Sequence, residues 1–179
     1  MVTDTSVNDS LGARAQSRRL ASRLPPVPDV GEPAPEFTLP DQTGREVTLS
    51  DRRGQSVVLY FYPKADTPGC TKQACGVRDH RADYEQAGAV VLGVSPDPVK
   101  RIEKFAGKYD LDFPLLADQN HAVAEAYGVW VEKSMYGRTY MGMERSTFVI
   151  DPQGRIASVL RRVKPAEHDQ LVLAALGSE

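Results

Sequence analysis

Cys70 and Cys75 are the only two thiols in a chain of 179 residues, and the first of them follows Thr67-Pro68-Gly69. Thr is a favoured residue just before a helix, and Pro suits the first helical position. A helix is therefore predicted from about Pro68 to Ala87, with Ala74, Val77 and Tyr84 recurring at helical spacing and Gly88 as the stop. Cys70 then sits in the first turn, near the positive end of the helix dipole and among backbone N–H groups that lack intrahelical partners. Both features favour thiolate over thiol, and the thiolate is the nucleophile. A free thiol is only about 3% ionised at pH 7, so full ionisation gains about 30-fold at most. An efficient thiol enzyme needs more than this, from positioning the electrophile and from stabilising charge on the departing atom.

The second thiol is five residues further on. Along an intact helix that step separates the Cα atoms by roughly 8.6 Å, beyond the ~7 Å that a disulfide can bridge. If the two sulfurs react, the first turns must unwind, giving a folded reduced form and an unwound oxidised one. Read alone, Cys75 is either a small core residue or a working thiol. Zinc is a poor fit, because C-x4-C is loose spacing and His80, His121 and His168 form no paired-ligand pattern. A dithiol oxidoreductase would use C-x-x-C, which is absent.

The elements that must position Cys70 can be read from hydrophobic patterning. Phe37–Leu39 and Glu46–Leu49 flank Pro40-Asp41-Gln42-Thr43-Gly44, a predicted hairpin. Ser56–Tyr62 and Ala89–Ser95 are apolar on both faces, as strands in the middle of a covered sheet must be. Asp97-Pro98 opens a helix with Val99, Ile102, Phe105, Ala106 and Tyr109 on one face. Phe113–Ala117 is a short strand and Asn120–Tyr127 a helix ended by Gly128, followed by a long aromatic loop, 129–143, with room for a hairpin. Ser146–Ile150 and Arg155–Leu160 flank the turn Asp151-Pro152-Gln153-Gly154, and Pro165–Leu176 is the last helix. Strands alternating with helices, closed by an antiparallel pair, give an α/β fold with a mixed central sheet flanked by helices.

Residues 1–30 are polar and then rich in proline, and are expected to form a flexible tail ahead of a single domain, 31–179. A net charge of −2 supplies no field to recruit nucleic acid or anionic membrane. No apolar run approaches the ~20 residues of a membrane span. No basic cluster leads into an apolar stretch at the N-terminus, as it would in a secretory leader. Arg14, Arg18, Arg19 and Arg23 would suit a mitochondrial presequence, but Asp4 and Asp9 would not. A cytoplasmic location is expected, where a thiol pair is more often chemical than structural.

Phe61-Tyr62-Pro63-Lys64-Ala65-Asp66-Thr67-Pro68-Gly69-Cys70-Thr71-Lys72-Gln73-Ala74-Cys75 resembles the active-site loop of peroxiredoxins, whose pattern P-x3-T-x2-C is met by Pro63, Thr67 and Cys70. The further cysteine resembles the bacterioferritin comigratory protein, or peroxiredoxin Q, subgroup. The likeness continues through Gly93–Asp97, Phe113–Asp118, Tyr127–Trp130 and Arg145–Asp151, and covers about residues 31–176. It implies a thioredoxin-like fold with an N-terminal β-hairpin extension. It also implies a thioredoxin-dependent peroxidase acting on hydrogen peroxide and alkyl hydroperoxides, working as a monomer without metal or organic cofactor. By the same resemblance Cys70 is the peroxidatic nucleophile and Cys75 the resolving thiol. Thr67 and Arg145 are polar partners of the peroxide, and Pro63 shields the pocket. Read without the resemblance, Thr67 is a helix cap and Arg145, beside Glu144, a surface ion pair. The alternative function is a redox-gated binding or holdase module, in which unwinding exposes an apolar surface.

Overall fold

Ser56–Phe61 forms a strand (β3) in which every residue is buried, and it lies at the centre of the five-stranded sheet. The protein is described by a computed structural model covering residues 26–178. On one side β3 pairs in parallel with β4 (Ala89–Ser95), which pairs in parallel with β5 (Leu115–Ala117). On the other it pairs antiparallel with β8 (Ser146–Ile150), which pairs antiparallel with β9 (Ile156–Leu160). The sheet is therefore mixed, as the closing hairpin in the sequence predicts. Two further antiparallel pairs stand apart from it: β1 (Thr38–Pro40) with β2 (Glu46–Thr48), and β6 (Trp130–Met135) with β7 (Arg138–Met143).

Alternation along β3 divides the core in two. Val57, Leu59 and Phe61 join one cluster with Leu39, Val47, Tyr127 and Phe148. Val58, Tyr60 and Tyr62 join the other, which contains Cys70. That second layer is covered by α1 (Pro68–Asp79), α2 (Arg81–Gln86), α3 (Val99–Lys108) and α5 (His168–Leu176), whereas Val123 and Ala124 of α4 (Ala122–Ala126) lie in the first.

Three sequence expectations need correction. The helix predicted over Pro68–Ala87 is broken at His80, whose ring Nδ1 donates to the Gly76 carbonyl at 2.9 Å, the same oxygen that accepts the His80 amide at 3.0 Å. A side chain inserted at the hydrogen-bond ladder is a common cause of such a kink. The last helix begins at His168 rather than Pro165, and the short strand at Leu115 rather than Phe113. The room left for a hairpin in 129–143 is filled by β6 and β7. Of the segment read as a tail, residues 1–25 lie outside the described residues; Pro28 is buried and Val27 packs against the first core cluster.

Candidate active site

The strand β3 delivers the chain to Pro63, and α1 begins five residues later at Pro68. The intervening loop is tied down from below. Asp97, just after β4, accepts the Ala65 amide at 2.7 Å and the Ser95 hydroxyl at 2.9 Å through one oxygen. Its other oxygen faces Arg101 Nε at 3.3 Å, and Arg101 Nη2 donates to the Ala65 carbonyl at 3.2 Å. Asp66 takes a left-handed backbone, φ 59°, and its carboxylate accepts from Lys108 Nζ at 3.1 Å and from the Tyr109 hydroxyl at 2.9 Å. These bonds lower the Asp66 carboxyl from its ordinary value, the Lys108 bond contributing most. The loop is thus fixed by α3 and the end of β4, neither of which carries the reacting groups.

Thr67 occupies the N-cap position with an extended backbone, and its carbonyl accepts the Thr71 amide at 2.8 Å. The side chain does not cap the helix as read from the sequence. Its hydroxyl donates instead to the Lys64 carbonyl at 2.8 Å. With its proton engaged there, the Thr67 oxygen keeps lone pairs free to accept an O–H. Cys70 is the third residue of α1, in reduced form and 2% exposed.

Arg145 reaches it from the junction of β7 and β8. Its Nη2 lies 3.4 Å from Cys70 Sγ, and its Nη1 donates to Gln73 Oε1 at 2.5 Å. A guanidinium only donates, so the Gln73 oxygen must face it. Gly69 eases the approach, because a Cβ there would stand 3.1 Å from Arg145 Nη2 and press the guanidinium back by a few tenths of an ångström. The ion pair with Glu144, the reading of Arg145 without the resemblance, is not what forms. Glu144 is gripped by Arg161 through Nε at 2.7 Å and Nη2 at 3.0 Å, and by the Ser146 hydroxyl at 2.7 Å. Burial alone would raise the Glu144 carboxyl, but these bonds, Arg161 foremost, hold it below its ordinary value. The neighbouring carboxylate is therefore occupied elsewhere, and Arg145 remains on the sulfur.

Beyond Arg145 opens a cleft of about 320 Å³ lined by Val131, Lys133, Glu144, Arg162 and Val163 among others. Lys133 Nζ donates to the Met143 carbonyl at 2.5 Å. Burial, and then Arg145, lower the Lys133 ammonium from its ordinary value. Among the described residues no cluster of His, Cys, Asp and Glu is arranged to hold a metal ion, and no helix is long and apolar enough to cross a membrane.

Of the five residues singled out in the sequence, Cys70 and Arg145 are in contact, and Thr67 and Pro63 flank the same loop and helix start. Cys75 is half-buried, one and a half turns along the unbroken α1, so it is not brought to Cys70 in this form. Gln73, Gly69 and Asp97 were not identified from the sequence as parts of the site. A signal existed for Gln73, a polar residue at a position three after Cys70 on the inward face, here 0% exposed.

The AhpC/TSA family model matches residues 30–159 of the chain. The chain is 50% identical over 143 residues to peroxiredoxin Bcp of Escherichia coli strain K12, covering 80% of this chain and 92% of that one. To a putative peroxiredoxin bcp of Coxiella burnetii it is 49% identical over 148 residues, 83% of this chain and 98% of that one. A solved structure of the Xanthomonas campestris bacterioferritin comigratory protein, concerned with its alkyl peroxide reduction activity, superposes with a TM-score of 0.78 at 38% identity, covering 84% of this chain and 98% of that one.

Proposed function

The chain belongs to the AhpC/TSA family and is a peroxiredoxin, a thiol-dependent peroxidase with a thioredoxin-like fold; from that membership we propose that Cys70 attacks the peroxide and Cys75 resolves the product. The observation that carries the reading is the Arg145 guanidinium at 3.4 Å from Cys70 Sγ. Arginine is permanently charged and rigid, so it can face both the thiolate and the oxygen that leaves.

The Cys70 thiolate attacks one peroxide oxygen, the O–O bond breaks, and its electron pair departs on the far oxygen, which takes up a proton. Sulfenic acid remains on Cys70. Donors already aimed at the developing charge lower the barrier without reorganising, and Arg145 is such a donor. Thr67 accepts the peroxide O–H and so fixes which oxygen faces the sulfur. Pro63 keeps bulk water from the pocket. Cys75 then attacks the sulfenic sulfur, water leaves, and a Cys70–Cys75 disulfide closes after the first turns of α1 come apart. A dithiol reductant, thioredoxin, reopens it by exchange. Hydrogen peroxide and alkyl hydroperoxides are both substrates, because the chemistry is confined to the O–O bond. The enzyme works as a monomer, in a reducing compartment such as the cytoplasm.

A redox-gated binding module is the weaker alternative, since binding alone gives no reason for an arginine on the sulfur. The test follows peroxide consumption with thioredoxin as electron source. Cys70→Ser is expected to abolish it. Cys75→Ser is expected to consume one equivalent rapidly and then stop. Sustained cycling by Cys75→Ser removes Cys75 from the mechanism, and any turnover by Cys70→Ser removes Cys70.

A further inference from the structure

The residue immediately after Cys75 is held in place from another part of the chain. Gly76 lies beneath Asp169 of α5 so closely that any side chain at 76 would collide with Asp169 Oδ2. Asp169 is 8% exposed, and its Oδ1 accepts the Tyr84 hydroxyl of α2 at 2.6 Å. His80 closes the group from the break between α1 and α2. Its amide and its ring Nδ1 both donate to the Gly76 carbonyl, and Nδ1 stands 3.7 Å from Asp169 Oδ2. On the far side, His168 Nδ1 is 3.6 Å from Asp169 Oδ1, while its Nε2 bonds the Thr147 hydroxyl of β8 at 3.0 Å. One carboxylate of α5 thus lies against α1 at Gly76, the residue after Cys75, and is bonded to Tyr84 of α2. None of these residues belongs to the peroxide site.

The first half of α1 is anchored differently. Cys70 and Gln73 meet Arg145, and those contacts must be given up when the helix start unwinds. We propose that Asp169 is a positioning residue that pins Gly76 and so sets the point at which unwinding of α1 stops. Residues 68–75 come loose for the two sulfurs to meet, and 77–86 stay packed. The proposal rests on the reading of Cys75 as the resolving thiol. Its physical sense is economy of opening. Val77 and Tyr84 are core residues, each 2% exposed, and a helix that frayed past Gly76 would uncover them.

The experiment is peptide-resolved hydrogen exchange on the reduced full-length protein, with Asp169→Asn and Tyr84→Phe for comparison. Cys70–Cys75 disulfide formation after one equivalent of hydrogen peroxide is followed in parallel by intact mass. In the native sequence, 68–75 is expected to exchange through an easier opening than 77–86. In Asp169→Asn, exchange across 77–86 is expected to quicken about tenfold while β4 is unchanged. Tyr84→Phe should shift the same segment by less, and it decides the matter if Asp169→Asn does not fold. Exchange that quickens equally in β4 marks a merely structural carboxylate and overturns the proposal, as does an unmoved boundary. A boundary that moves as expected in a protein that never forms the disulfide removes the role of Cys75 and leaves the pin standing.

Discussion

Cys70, the proposed nucleophile, illustrates how much of such a site lies outside the sulfur itself. The atom is nearly fully buried, and what surrounds it is one guanidinium, the open start of a helix and a glutamine that holds the guanidinium in place. Gly69 is the inconspicuous member of this set. In a helix, Gly→Ala removes a backbone-entropy cost of roughly 0.5–1 kcal/mol. Gly69→Ala is therefore expected to leave the melting temperature unchanged or slightly raised. Its Cβ would still press on Arg145 Nη2 from 3.1 Å. A displaced guanidinium should slow the peroxide step about ten- to a hundredfold, as stopped-flow kinetics on the first turnover would register. A rate equal to that of the native protein would show that the arginine can shift without consequence.

The helix pair α1–α2 meets at His80, where α1 ends and α2 begins. The His80 ring at their junction is raised above its ordinary value, by its bond to the Gly76 carbonyl first and then by the Asp169, Asp83 and Asp79 carboxylates. A group whose folded value is raised binds its proton more tightly when folded. Its support for the fold is present below the ordinary imidazole value and is lost as pH rises through the raised one. The junction should therefore loosen as pH rises above the ordinary imidazole value of 6.5. NMR titration of the His80 ring is expected to place its midpoint above 6.5, the ordinary value, and His80→Gln should flatten the pH dependence of exchange across 77–86. The ring is half-exposed and screened by solvent, so the effect on global stability is small.

The molecule as a whole is a sheet with two cores, and Cys70 belongs to one of them. The cluster on one face contains Cys70, the proposed nucleophile, and the opposite one, from β1 and β2 to Tyr127 and Phe148, supports β3 from behind. Among the described residues, we place the start of packing against the domain at Val27. That residue lies on Gly128, whose positive φ of 69° and missing side chain leave room for it. Val27 is half-buried, so its burial is worth about 1 kcal/mol. A chain begun at residue 31 is thus expected to melt about 2–4 °C below one begun at residue 26. Equal melting temperatures in calorimetry would return the boundary to 31.

The order of strands and helices was legible in the sequence because it is locally encoded. Strands covered on both sides must be apolar throughout, as Ser56–Phe61 and Ala89–Ser95 are, and glycine and proline mark where elements end. The sulfur at the helix start was legible for the same reason, since Thr67, Pro68 and Cys70 are neighbours in the chain. Arg145 was legible only through the family resemblance: it lies 75 residues from Cys70, and its own neighbourhood, beside Glu144, suggested a different partner. Tertiary packing decided that Arg161 takes Glu144, that Gly69 admits the guanidinium, and that Asp169 closes over Gly76. A contact between distant segments depends on how much space two backbones leave between them. That space is set only when the sheet and its helices have packed.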